Sequence, residues 1–169
     1  MILPHLDGAY NLARYLTRDA ALSEDVVQDA MVRAFRAFGQ FRGGSPRAWL
    51  FAIVRNCSRT AMAVPAALGE TALTEDIAEQ PDPAPTPEDE AVRRSEIDRV
   101  RLAIEAIPEP FREAVVLRDL EDLSYAEIAQ VTGVPIGTVM SRLSRGRSTL
   151  AKELLPARSG DEERSRSMN

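Results

Sequence analysis

Little in this sequence suits redox or metal chemistry. Of its 169 residues, one is cysteine and one is histidine. No internal disulfide can form, and neither Cys57 nor His5 has the companions that a tetrahedral metal site needs. Both read as structural. Aromatic residues make up only 5%, which leaves Leu, Val, Ile and Ala to fill any core. No apolar run approaches the roughly eighteen residues that mark a membrane span. The N-terminus has no basic segment leading into an apolar stretch and a cleavage site. A cytoplasmic location is the expectation, with no membrane partner. There is also no Gly-rich phosphate loop, no spacing of nucleophile and base, and no carboxylate pair placed for acid–base work. No catalytic residue, metal, cofactor or small-molecule substrate is expected, and the chain does not read as an enzyme.

What is present is a chain with enough apolar residues for a core, 44% hydrophobic against 28% charged. Its net charge of −5 argues against nucleic-acid binding until the distribution is examined. Residues 1–60 carry eight basic and five acidic groups, whereas residues 61–95 carry two and eight. Between Asp29 and Glu70 there is no acid, yet Arg33, Arg36, Arg42, Arg47, Arg55 and Arg59 fall there. Between Glu127 and Glu153 there is again none, with Arg142, Arg145, Arg147 and Lys152. Two acid-free basic tracts, one in each half, could each face phosphates. Solvated helix faces are the plain alternative for either tract alone.

The pattern is helical throughout, with no glycine-framed alternating runs of the kind that form sheets. An all-α fold is expected, with two small helical domains joined by a flexible linker. The first spans residues 1–63, the linker 64–94 and the second domain 95–155, with a disordered tail over 156–169. The linker is read from Pro65, Pro81, Pro83, Pro85 and Pro87, set among acidic residues with few large apolar groups. In the first half, Leu6 to Leu16 has helical spacing, weakened by Gly8. A second helix is expected to start with Ser23 as its N-cap. It would place Val27, Ala30, Met31, Ala34, Phe35 and Phe38 inward and end at Gly39. A third begins near Pro46, with Trp49, Leu50, Ile53 and Val54 inward. In the second half, a helix over about Ser95 to Ile107 turns Ile97, Val100, Ile104 and Ile107 inward. Another runs from Phe111 to Leu120.

The clearest local pattern follows. Ser124 and Glu127 form S-x-x-E, a capping box opening a short helix over Tyr125 to Val131. Thr132-Gly133-Val134 is a tight turn, and Pro135 suits a helix start. A last helix places Val139, Leu143, Gly146 and Leu150 inward. A short capped helix, a glycine-containing turn and a longer helix make the outline of a helix-turn-helix. The second helix of such a pair enters the major groove. Here its outer face carries Thr138, Ser141, Arg142 and Arg145, with Arg147 beyond, and arginine suits bidentate reading of guanine. An ordinary helix pair with a glycine turn would share this outline.

The stretch Ile107-Pro108-Glu109-Pro110-Phe111-Arg112, then Val116-Leu117-Arg118 and Leu123-Ser124-Tyr125-Ala126-Glu127-Ile128-Ala129, resembles the fourth conserved region of extracytoplasmic-function (ECF) sigma factors, a subfamily of bacterial sigma-70-type factors. So does Gly137-Thr138-Val139 with Ser141-Arg142-Leu143-Ser144-Arg145-Gly146-Arg147. In the first half, Ser23-Glu24-Asp25-Val26-Val27-Gln28-Asp29 with Arg33-Ala34-Phe35 resembles the family's second region. Phe41-Arg42-Gly43-Gly44 and the stretch from Ala48 to Asn56 extend the likeness. The matches cover about two thirds of the chain.

The resemblance implies a sigma factor that binds core RNA polymerase and directs promoter-specific transcription initiation. The first domain would dock on polymerase through Asp25, Gln28, Asp29, Val32 and Arg36, and open the −10 element with Phe41, Arg42, Arg47, Arg55, Asn56 and Arg59. Asn56 and the loop before Pro46 would line a flipped-base site. Trp49 shares the inward spacing of Ile53 and reads as core; Phe41 could be core or a stacking surface. The second domain would read the −35 element through Thr138, Ser141, Arg142, Arg145 and Arg147. An anti-sigma protein clamped across both domains is a further implied partner. The linker could act as a nucleic-acid mimic or as a plain tether.

Departures from the family pattern bear on affinity. The opening helix looks shortened or missing. Cys57-Ser58-Arg59-Thr60-Ala61-Met62 offers one basic residue where several are common, and Met140 stands where a basic residue is frequent. Fewer phosphate contacts mean weaker autonomous DNA binding. A free-standing helix-turn-helix regulator and a decoy that binds an anti-sigma protein are the alternative readings.

Overall fold

The computed structural model describes residues 1–64 and 86–155. Most of the expected linker and the whole expected tail lie outside the described residues. Seven α-helices account for the described chain: α1 (Leu6–Thr17), α2 (Ala20–Ala37), α3 (Pro46–Ala63), α4 (Pro87–Glu105), α5 (Glu109–Val115), α6 (Tyr125–Thr132) and α7 (Ile136–Leu154). No helix among them is long and apolar enough to cross a membrane.

The first three helices form one cluster. Arg18, in the left-handed region at φ 58°, ends α1. Asp19 is the N-cap of α2, its side chain accepting from the Leu22 amide at 2.9 Å. The expected cap, Ser23, lies one turn further in and is fully buried. Its hydroxyl bonds the Asp19 carbonyl and lies 2.8 Å from the Thr17 hydroxyl. Two acids after a serine imitate a helix start, but here a tight corner has already started the helix. The buried face of α2 is Ser23, Val26, Val27, Ala30 and Ala34. Phe35 is not part of it. At 100° per residue it falls roughly 120° from the middle of that face, and it is 84% exposed. Phe38 lies past the end of the helix in a 3₁₀ turn and is also exposed.

Helix α3 is capped by Ser45, which accepts from the Ala48 amide at 3.2 Å, and carries Pro46 in its first turn. Leu50 and Val54 are buried as the spacing predicts, while Trp49 and Ile53 are half-buried against the core. Phe51, Arg55, Cys57 and Ser58 are buried too. A helix with so wide a buried surface has neighbours on two sides. Helices α1 and α2 cover one side of α3 and α6 covers the other, so the two halves of the chain share one continuous core.

Helix α4 starts about eight residues before the expected position. Thr86 caps it, Pro87 occupies its first turn and Glu88, Asp89 and Glu90 suit the positive end of its dipole. Proline and acid, which suggest a linker, here mark a helix N-terminus. Its expected inward residues divide: Ile104 and Ile107 are buried, whereas Ile97 and Val100 are exposed. The buried Arg112 donates to the carbonyls of Ile107 (2.9 Å) and Glu105 (3.2 Å), fixing the corner between α4 and α5. Beyond α5 the chain widens into a π turn over Val116–Leu120 before Asp122, at φ 48°, redirects it.

Candidate nucleic-acid interface

The helix-turn-helix has the expected construction. Ser124 accepts from the Glu127 amide at 3.2 Å, and the Glu127 carboxylate accepts from the Ser124 amide at 2.8 Å. Gly133 closes α6 at φ 71°, a conformation that favours glycine, and α7 follows Pro135. Val139, Leu143 and Gly146 of α7 are buried, with Leu150 packed at the edge. At Gly146 an added Cβ would stand 2.5 Å from Val115 Cγ2 and 2.9 Å from the Phe111 carbonyl oxygen. This contact seats α7 on α5.

Thr138 and Arg142 are half-buried on α7, and Ser141 and Arg145 are exposed. The Ser141 hydroxyl donates to the Thr138 carbonyl at 3.0 Å, and the Arg145 guanidinium stands 5.7 Å from the centre of the Phe111 ring. Arg147 differs from them. Its guanidinium donates to both carboxylate oxygens of Asp119, at 2.6 and 3.0 Å, which ties α7 to the π turn. Met140, set where a basic residue is common, is exposed beside them.

On α2, Asp25, Gln28, Asp29, Val32 and Arg36 are all exposed and fall on one stripe opposite the buried face. Phe35 borders that stripe. Asp29 pairs with Arg33 one turn on, at 2.9 Å, and this bond holds its carboxyl below the usual range. Beneath it, burial first and then Asp29 push the Cys57 thiol up to about 11. Cys57 therefore stays protonated at neutral pH, unlike a reactive thiolate.

The six residues expected to act on the −10 element do not form one open surface. Phe41, Arg42 and Asn56 keep solvent access. Phe41 packs on Trp49 with ring centroids 5.3 Å apart, so both rings help to hold the loop over Gly43 and Gly44, whose φ values are 95° and 97°. Arg47, Arg55 and Arg59 face the second half of the chain instead. Arg47 donates to Glu121 at 2.7 Å and lies over the Phe51 ring at 5.4 Å. Arg55, 7% exposed, pairs with Glu113, 2% exposed. Arg59 lies 3.9 Å from Glu109. Of the three, Arg55 is buried in this conformation, whereas Arg59 keeps solvent access.

The seam also contains polar groups that the sequence did not single out. Asn11 donates to Glu121 at 3.3 Å, and Arg14 stands 3.8 Å from Glu105. The Ser45 hydroxyl, with the Ser124 amide, holds the Glu127 carboxyl below its usual range. Gly8 allows Glu121 to lie against α1: a Cβ there would meet Glu121 Oε2 at 2.3 Å and the Phe51 ring at 2.8 Å. A signal existed in the one-turn spacing of Glu109 and Glu113, which matches the one-turn spacing of Arg55 and Arg59. Nothing local joined the two.

Comparison with known proteins agrees with this architecture. Residues 1–63 match the family described as Sigma-70 region 2, and residues 97–150 match Sigma-70, region 4. The chain is 34% identical over 151 residues to the ECF RNA polymerase sigma factor SigE of Mycolicibacterium smegmatis, covering 89% of this chain and 58% of that protein. It is 34% identical over 168 residues to the RNA polymerase sigma-H factor of Pseudomonas aeruginosa, covering 92% and 85%. Among solved structures, it is similar to the sigma factor RpoE in complex with the anti-sigma factor NepR from Bartonella quintana. That match has a TM-score of 0.69 and 27% identity, and covers 90% of this chain and 93% of the other. CnrH in complex with the cytosolic domain of CnrY is also similar, with a TM-score of 0.62 and 25% identity over 90% and 84% of the two chains. Two family matches in the expected order and whole-chain relatives of this identity lead to one conclusion: the chain belongs to the ECF sigma factors.

Proposed function

We propose that this chain initiates transcription by docking on core RNA polymerase through α2 and reading promoter DNA with α3 and α7. The observation that carries the division of labour is the exposed stripe of Asp25, Gln28, Asp29, Val32 and Arg36 on α2, bordered by Phe35 at 84% exposure. A bare aromatic ring beside ordered charges is the composition of a protein interface, not of a solvated helix face. On the other half, α7 offers Thr138, Ser141, Arg142 and Arg145 to a major groove for the −35 element. Phe41 and Arg42 precede the start of α3 and Asn56 is exposed further along it, and a strand of the −10 element would pass over these residues. Arg147, held by Asp119, positions α7 and has less freedom to reach a base.

Run-off transcription with core polymerase and a promoter library tests this reading: specific transcripts should require the chain. Reversing Asp25 and Asp29 to lysine should weaken core binding by about 100-fold, on the scale of like-charge contacts across an interface, and leave helical content unchanged. Unchanged core affinity would remove α2 from the docking surface. Arg142→Ala should reduce −35 discrimination by about 5- to 150-fold, the range for one side chain reading a base. A uniform loss on all −35 sequences would make Arg142 a phosphate contact instead.

One similar solved structure is the sigma factor RpoE in complex with the anti-sigma factor NepR, and the other is CnrH in complex with the cytosolic domain of CnrY; the first supports an anti-sigma partner for this chain too.

A further inference from the structure

The first turns of α7 carry two large apolar side chains that the packing of the protein leaves to solvent. Ile136 is 46% exposed and Met140 is 53% exposed. One turn separates them, so their side chains share one edge of the helix. The buried face of α7 is Val139, Leu143 and Gly146. At 100° per residue, Met140 falls roughly 90° from the middle of that face, and Thr138 and Arg145 fall somewhat further round on the other side. The outward face is thus apolar along one edge and polar or cationic along the other, with Ser141 between them. Gly137 lies on the same outward face, and an added Cβ there would meet nothing within 4 Å. The first turn can therefore come close to a base-pair edge.

Helix propensity does not select methionine at this place, since arginine and lysine serve as well. The next long side chain along the apolar edge is Arg147, and its guanidinium is engaged by Asp119. Attraction to phosphates is weak on this edge, and apolar contact is what remains to it. In a helix-turn-helix, the N-terminal residues of the second helix reach base edges. Among the base edges of the major groove, thymine alone presents an apolar group, its 5-methyl.

We propose that Ile136 and Met140 form a thymine-reading edge of α7, with Met140 packed on the 5-methyl group of a thymine in the −35 element. The proposal rests on α7 being the helix that reads this element, and it adds a specificity-determining residue to that face. Methionine suits the contact because its unbranched, polarizable chain adapts to the shape it meets. An arginine here would gain a phosphate and release counterions on any sequence. Methionine gives up that indiscriminate affinity and gains discrimination at one base pair.

The test starts from the full chain bound to core polymerase, used to select duplexes randomised over the −35 element. Each thymine of the selected element is then replaced singly by deoxyuridine, which lacks only the methyl group. Wild type should lose about fourfold in affinity at one thymine, the effect of returning one buried methyl to water. Met140→Ala should bind the two duplexes equally, whereas Met140→Leu, still apolar and of similar size, should keep most of the preference. Met140→Arg should bind every duplex more tightly, lose the preference and steepen the slope of log affinity against log salt by about 0.9. Arg145→Ala, on the opposite edge, should weaken binding and keep the preference. Tolerance of deoxyuridine at every position by wild type overturns the proposal, as does an undiminished preference in Met140→Ala. Weaker core-polymerase affinity of Met140→Ala with that preference intact would assign the edge to a protein contact instead. Failure to enrich any −35 sequence would refute the initiation reading on which the proposal stands.

Discussion

Gly146→Ala is expected to destabilise the second half by about 1–3 kcal/mol, the range for forcing an extra methyl into a packed interior. Helix propensity alone predicts the reverse, since alanine exceeds glycine by about 1 kcal/mol in a helix interior. Geometry decides between them. The new Cβ would meet Val115 Cγ2 at 2.5 Å and the Phe111 carbonyl oxygen at 2.9 Å. The valine methyl has limited room in a buried environment, and the carbonyl belongs to the backbone of α5, so α7 must move away from it. That movement also shifts the recognition face, and −35 affinity should fall along with stability. Gly137, in the same helix, has nothing within 4 Å of an added Cβ, so Gly137→Ala should leave stability unchanged or raise it. Urea unfolding of the two variants, followed by far-UV circular dichroism, checks both. Equal behaviour would mean that α7 does not pack on α5 at this distance.

The second large effect is expected at the seam. Glu113→Ala leaves the Arg55 guanidinium 7% exposed and without its carboxylate. Removing one member of a buried pair costs about 3–5 kcal/mol, because the remaining charge stays desolvated. Here the chain has an escape, since separating the halves returns Arg55 to water. The loss should therefore fall on the contact between halves rather than on either half alone. Wild type should unfold in one cooperative transition and Glu113→Ala in two. Replacing the pair together, Arg55→Met with Glu113→Leu, removes both charges and should restore a single transition. A single transition for Glu113→Ala at unchanged stability would show that the buried pair does not hold the halves together in solution.

These two cases differ in how far they were legible in the sequence. Gly146 was placed on the inward face of α7 by periodicity alone, and the capping box of Ser124 and Glu127 stands as the four-residue pattern predicts. The start of α3 at Ser45 and Pro46 and the exposed stripe of α2 were legible for the same reason. Each is a local property of turn, cap and 3.6-residue repeat. Even there, local signals misled where two meanings coincide. Ser-Glu-Asp imitates a cap inside α2, and Thr-Pro-Glu-Asp-Glu has the composition of a linker although it begins α4.

Tertiary structure alone decided what α3 faces. Periodicity identifies an inward side but not how many sides are inward, so Phe51 and Arg55 were missed as buried residues. The partners of the α3 arginines are far away in sequence, 58 residues for Arg55 and Glu113 and 74 for Arg47 and Glu121. Gly8, which only weakens a helix when considered locally, becomes a place where Glu121 can lie. Sequence by itself determined seven helices' worth of local structure and the family. Which charges meet across the seam depends on how two separately patterned halves dock, and neither helical period nor local charge encodes that contact.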